Sequence, residues 1–158
     1  MVSLEDDERR GADPTANDLS SRPESDYVAK MLNDSKVTAN VPAADLDRAR
    51  RFYADKLGLT PVQEGSGGLV YTTAGGTTFF LYETEFAGQA GHTIAQWHVA
   101  DIDGQVGALK DKGVTFEHYE MPGVSWDGDI ATIPQMGRAA WFTDSEGNIM
   151  CIDDVAVG

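Results

Sequence analysis

Few residues in this chain have the types to do chemistry: three histidines, one cysteine, and the amides and carboxylates that fall on strand-like runs. An imidazole can accept a proton or hold a metal ion. In the run TIAQWHV, a side-chain period of two puts Ile94, Gln96 and His98 on one face and turns Trp97 to the other, toward a helix. His92 sits in a Gly-rich loop and His118 near a strand end, so both are expected in solvent rather than in a site. Cys151 precedes Asp153 by two positions in NIMCIDD, which gives thiol and carboxylate the same face of the last strand. A cysteine nucleophile needs a base beside it to form thiolate. The sequence supplies none next to Cys151, which is expected to pack as a small apolar residue. A one-residue bulge in the strand ending at Glu83 would turn that carboxylate inward in place of Tyr82, and Glu83, His98 and Asp153 would then be a possible displaced metal site. The glycines at 65–68 are followed by no Lys-Ser or Lys-Thr, so they do not make a phosphate cradle.

These side chains need elements to hold them. Lys36–Val41 reads as a strand. Asp45 can cap a helix whose inward face is Leu46, Ala49, Phe52, Tyr53 and Leu57, with Gly58 just past its end. Strand-like runs follow at Leu59–Gln63, Gly68–Thr73 and Thr77–Glu83, separated by glycine turns. The pattern then recurs. A shift of 56 residues lays Asp45-Leu46-Asp47 on Asp101-Ile102-Asp103 and Asp55-Lys56 on Asp111-Lys112. The second set is a strand His92–Val99, a helix Ile102–Lys112 with Ile102, Val106 and Leu109 inward, and strands Val114–Tyr119, Arg138–Thr143 and Asn148–Asp153. The predicted fold is α+β: two βαβββ modules forming a cupped mixed sheet, each helix covering one face and leaving the other for a partner module or a cavity. Between Met121 and Gly137 the chain is longer than a hairpin needs. That segment is read as a loop whose Trp126 either closes over a bound ring or caps a sheet edge or dimer contact.

Composition sets limits on partners. The net charge is −14 and the pI about 4.3 over 158 residues, which disfavours nucleic acid and anionic membrane surfaces and is compatible with a cationic ligand. One cysteine excludes an internal disulfide, and no run is long enough to span a bilayer. The N-terminal stretch begins with acids and has no apolar core, so a cytoplasmic protein is expected. Residues 1–33 are expected to be a disordered acidic tail, with a short helix possible around Asp26–Leu32, and 34–158 the folded domain.

Three stretches carry a family resemblance: VPAADLDRARRFYADKLGL (41–59), HVADIDGQVGALKDKGV (98–114) and WFTDSEGNIMCI (141–152). With them, residues 36–154 resemble the vicinal oxygen chelate superfamily, the glyoxalase/bleomycin-resistance/dioxygenase group. The resemblance implies paired βαβββ modules, often a homodimer, and in many members a divalent metal held in the cup by His, Glu or Gln to stabilise an enolate-like anion. Drug-resistance members bind and sequester without chemistry. Carried over position by position, the metal ligands of the family fall on Thr38, Phe80, Ile94 and Cys151. Phe and Ile cannot ligate, Thr is a poor ligand, and Cys151 alone cannot hold an ion that wants at least three protein ligands. The expectation is therefore a small organic ligand, no metal cofactor, and a cup lined by Thr38, Asn40, Phe80, Tyr82, Gln96, His98, Cys151 and Asp153, with Trp126 above it. A divalent-metal lyase or dioxygenase using a displaced site, and a non-catalytic interaction module with a closed cup, are the alternatives. Whether the protein is an enzyme stays open at this point.

Overall fold

The computed structural model describes residues 32–155. The proposed acidic tail, up to residue 31, and most of the proposed Asp26–Leu32 helix lie outside the described residues; Leu32–Asp34 form one 3-10 turn. The chain divides after Lys36, and the second unit, Val37–Gly158, carries every element discussed below.

The first module runs β1 (Ala39–Ala43), α1 (Leu46–Asp55), β2 (Gln63–Gly65), β3 (Gly68–Thr72) and β4 (Thr78–Glu83). Its four strands lie in the order β1-β4-β3-β2, with β1 parallel to β4. The second module runs β5 (Thr93–His98), α2 (Ile102–Asp111), β6 (Phe116–Glu117), β7 (Ser125–Asp127), β8 (Ile130–Ile133), β9 (Gly137–Thr143) and β10 (Ile149–Asp153). Its sheet is ordered β5-β10-β9-β8-β7, and β6 pairs with β9 beyond β8. Among the described residues, two sheets of four and six strands with two α-helices make this the expected α+β fold.

The sequence repeat has a structural meaning. Asp45 caps α1 by accepting from the backbone N–H of Arg48 at 2.9 Å, and Asp101 caps α2 from that of Gly104 at 3.0 Å. Each helix is followed by a glycine in the left-handed region, Gly58 at φ 69° and Gly113 at φ 81°, which an L side chain rarely adopts. Between those stops α1 buries Ala49 and Tyr53, and α2 buries Ile102, Val106 and Leu109.

Four expectations need correction. The first strand begins at Ala39, three residues later than Lys36. Leu59–Gln63 is not a strand: Pro61 has no N–H to give a ladder, and pairing starts at Gln63. Val114–Tyr119 contracts to the two-residue β6. The segment Met121–Gly137 is not a lid loop. It holds the hairpin β7–β8, turned at Gly128 (φ 58°), which extends the second sheet by two strands.

One apolar core serves both modules. An aromatic chain runs through it. Tyr53 lies 5.4 Å from Tyr71, Tyr71 stacks on Phe79 at 5.0 Å, Phe79 meets Trp97 edge-on at 6.4 Å, and Trp97 stacks on Phe142 at 6.5 Å. A polar latch adds to this seam. The β9–β10 turn brings buried Asp144, Glu146 and Asn148 against the β1–α1 turn. Glu146 accepts from the backbone N–H groups of Ala44 and Asp45 and from the Arg48 guanidinium. Asp144 accepts from the Tyr53 hydroxyl at 3.1 Å, and Asn148 donates to Pro42 O at 2.7 Å. Two of the stretches that carry the family resemblance are thus the two halves of one contact.

Candidate small-molecule site

Strand register decides which side chains share the faces turned away from the helices. On the first sheet Asn40 is the register partner of Phe80, and Pro42 that of Tyr82. Phe80 and Tyr82 are half-buried and stack at 6.4 Å and 10°. They have room because Gly68 lies opposite Tyr82; a Cβ there would come within 2.8 Å of the Phe80 ring. Thr38 precedes β1 and is exposed, so it does not join this group within the strand.

On the second sheet, cross-strand partners form two rows. One runs His98, Asp153, Ala139, Ala131 and Trp126; the other runs Gln96, Cys151, Trp141 and Glu117. Their neighbours Ile130, Ala140, Phe142, Met150 and Ile152 belong to the shared core, whereas Ala131, Ala139 and Cys151 are buried outside it. Gln96, His98, Cys151 and Asp153 are therefore brought together on one face. Ile94 is not in file with them. The register shifts by one residue between Ile149 and Met150, and Ile94 packs against the apolar core beside Ala95 and Trp97.

Asp153 organises the polar group. It is 1% exposed, yet its carboxylate is fully engaged. Oδ1 pairs with His98 Nδ1 at 2.8 Å and accepts from Val155 N at 2.9 Å, while Oδ2 accepts from Gln96 Nε2. Cys151 is 3% exposed. Burial, and then the nearby charge of Asp153, pushes its thiol up to about 12, so the thiolate needed for attack or ligation is not formed near neutrality. Cys151 should accordingly resist iodoacetamide at about pH 8 in the folded protein and react only on unfolding; rapid alkylation of the native protein would contradict this.

Two cavities adjoin these rows. The larger, about 650 Å³, lies along β5 and is lined by Gln96, His98, Trp97 and Ile94, by Phe79 and Ala39 of the first module, and by the β3–β4 turn. The smaller, about 300 Å³, is lined by Thr93, Tyr119, Met121, Trp141 and Ile149, with His92 at its rim. Beside it stands an aromatic group. Trp141 lies 6.1 Å from Trp126 and 6.0 Å from Tyr119, and Trp126 stacks on His118 at 4.2 Å. Burial, reinforced by the hydrogen bond to Glu117, holds the Tyr119 hydroxyl protonated, at about 12. Trp126 is part of a strand here, not the tip of a lid. His118 is exposed but pairs with Asp129 at 3.2 Å.

Of the candidates read from the sequence, Gln96 and His98 line the larger cavity; Asp153 and Cys151 stand directly behind them and line neither. Asn40, Phe80 and Tyr82 form a separate patch on the first sheet. Sequence reasoning missed Trp141, Tyr119, Phe79 and the cavity-facing side of Trp97.

The family's metal fits these residues poorly. The residues onto which the resemblance carries its ligand positions are an exposed Thr38, Phe80, a core-packed Ile94 and a protonated Cys151. The displaced set fails as well. β4 pairs with β1 and β3 in unbroken register, so no bulge turns Glu83 inward, and among the described residues no three His, Cys, Asp or Glu side chains are grouped to hold an ion.

Comparison with curated proteins gives no significant match. Among solved structures the chain is similar to TnmS3, an antibiotic binding protein from Streptomyces sp. CB03234, at 22% identity and TM-score 0.57, over 77% of this chain and 97% of that one. It is also similar to a bleomycin-binding protein complexed with bleomycin, at 17% identity and TM-score 0.59, over 77% and 99%. A third is the fosfomycin resistance protein FosX from Listeria monocytogenes complexed with Mn(II) and sulfate, at 15% identity and TM-score 0.57, over 78% and 91%. At these identities the likeness is one of fold. The family model for the Glyoxalase/Bleomycin resistance protein/Dioxygenase superfamily matches residues 37–152, and the chain belongs to that superfamily.

Proposed function

We propose that this protein binds a small, flat, partly polar organic molecule in the cavity along β5, without the divalent metal that many members of its superfamily use. The observation that carries this reading is the cavity itself. Its volume of about 650 Å³ lies within the range of small-ligand pockets, its walls are mostly apolar, and Gln96 and His98 add polar side chains to them. The side chains onto which the resemblance carries the family's ligand positions support the metal-free part. The solved relatives named as antibiotic-binding and bleomycin-binding support capture of an organic compound, as sequestration in the cytoplasm rather than turnover. A homodimer belongs to the same reading. Among the described residues β1 and β5 are each an outer strand with one edge unpaired, and Asn40, Phe80 and Tyr82 offer a half-open face that a second copy can cover.

Binding of a panel of planar aromatic compounds, followed by tryptophan fluorescence, tests the site. Gln96→Ala is expected to cost only about 1 kcal/mol of stability, since it removes one of three hydrogen bonds to Asp153, while weakening binding by about tenfold. Unchanged affinity would move the ligand elsewhere. Elemental analysis of protein purified without chelator is expected to find far less than one metal ion per chain; stoichiometric metal overturns the metal-free reading.

A further inference from the structure

The hydrogen bonds around Asp153 determine more than position. A carboxylate can only accept, so each neighbour must turn a donor toward it. His98 gives Nδ1–H and Gln96 gives an N–H of its amide. In the neutral ring His98 is thereby left with Nε2 as a bare acceptor, and the Gln96 amide is oriented with its carbonyl oxygen away from Asp153. Among the described residues neither His98 Nε2 nor Gln96 Oε1 has a hydrogen-bond partner in the protein, and both residues line the cavity. The remaining wall includes the aromatic rings of Phe79 and Trp97, with no Lys or Arg among the described lining residues. The acceptors, and the buried Asp153 carboxylate bonded to the far side of both, favour a cation with hydrogen-bond donors, and the aromatic rings suit a planar one. The net charge of −14 adds a long-range bias of the same sign.

We infer that the cavity along β5 selects a planar aromatic cation carrying N–H donors on one edge, of the amidine class, with His98 Nε2 and Gln96 Oε1 as its acceptors and Asp153 as the residue that positions both. This rests on the small-molecule reading above and names the ligand class for that site. Asp153 acts through its neighbours and does not touch the ligand. Anionic compounds of the same shape are excluded because they would face two acceptors and the charge behind them.

Three matched probes test it: 2-naphthamidine, 2-naphthamide and 2-naphthoate, titrated into the full chain at about pH 8 in about 0.5 M salt. That salt shortens the range of bulk surface charge to about 4 Å. The amidine is expected to bind at least about tenfold tighter than the amide, and the naphthoate most weakly. His98→Phe should bring amidine and amide to within about twofold of each other. In the unliganded protein, long-range 1H–15N correlation should show the His98 ring protonated at Nδ1, a readout that needs neither ligand nor variant. Preference for the naphthoate, an Nε2–H tautomer, or amidine selectivity that survives in His98→Phe each overturns the inference while leaving small-molecule binding in place. Failure of all three probes to bind at about 1 mM overturns both.

Discussion

Glu146→Ala should lower unfolding free energy by about 3 kcal/mol or more, read from urea denaturation as a fall in midpoint at constant slope. The reason is how many groups the substitution strands. Glu146 Oε2 accepts from Ala44 N at 2.8 Å, Asp45 N at 3.0 Å and Arg48 Nη2 at 2.9 Å, while Oε1 takes Arg48 Nε at 2.8 Å and the Ser145 hydroxyl at 2.9 Å. The carboxylate is wholly buried and Arg48 is half-exposed, so the guanidinium regains water on loss of its partner while the two backbone N–H groups do so less readily. A loss under about 1 kcal/mol would mean that the latch does not hold the modules together.

The same residue gives a pH signature whose sign can be worked out. Burial works against ionisation of Glu146, but the hydrogen bonds from Arg48, Ser145 and the backbone of Asp45 and Ala44 outweigh it, so its carboxyl lies below the ordinary value of 4.5. A depressed acid stabilises the fold above its unfolded pKa, and that contribution is lost as pH falls through the folded value. Asp144 has the opposite sign. Burial raises its carboxyl above 3.8, more than its hydrogen bonds from Asn148, Glu146 and Tyr53 lower it. Its contribution therefore favours folding as pH falls and is lost as pH rises through that raised value. The stability difference between wild type and Glu146→Gln should be constant near neutrality and shrink below about pH 4. A difference that stays level down to about pH 3 would contradict the assignment.

The helices were legible because each is bounded by local chemistry. Asp45 and Asp101 start them, Gly58 and Gly113 stop them, and no long-range information is needed. The face of Trp97 was legible for the same kind of reason, since a period of two holds along an unbroken stretch. It stopped being a guide at Ile94, where a register shift set by β10 intervenes, and a bulge in one strand is invisible in that strand's own pattern. The β7–β8 hairpin did leave a signal, the Asp127-Gly128 pair, but the glycines and prolines around it resemble loop composition. Periodicity also reports direction and not depth. Cys151 and Asp153 point the way the sequence suggests and are closed off by their neighbours, which only the packed sheet reveals. Trp141 was missed because it adjoins Phe142, and two successive aromatics do not say which of them faces the core until β10 fixes the register.

Trp97→Ala is expected to cost about 3 kcal/mol, the lower part of the range for removing a large aromatic, because the ring is only half-buried. Its position makes the cost more than a local cavity. Trp97 meets Phe79 edge-on at 88° from the first module and stacks on Phe142 in the second, so it is the point where the two aromatic groups become one. It also forms part of the wall of the larger cavity. A double-mutant cycle separates these roles. Trp97→Ala and Phe79→Ala should couple by about 1 kcal/mol if the edge-on contact joins the modules, and the amidine probe should lose affinity in either variant because both rings line its cavity. Additive losses, with coupling within about 0.3 kcal/mol of zero, would place the seam in the Glu146 latch alone. The modules would then be held by polar groups whose strength varies with pH, and the cavity between them would be expected to loosen in acid before the strands melt.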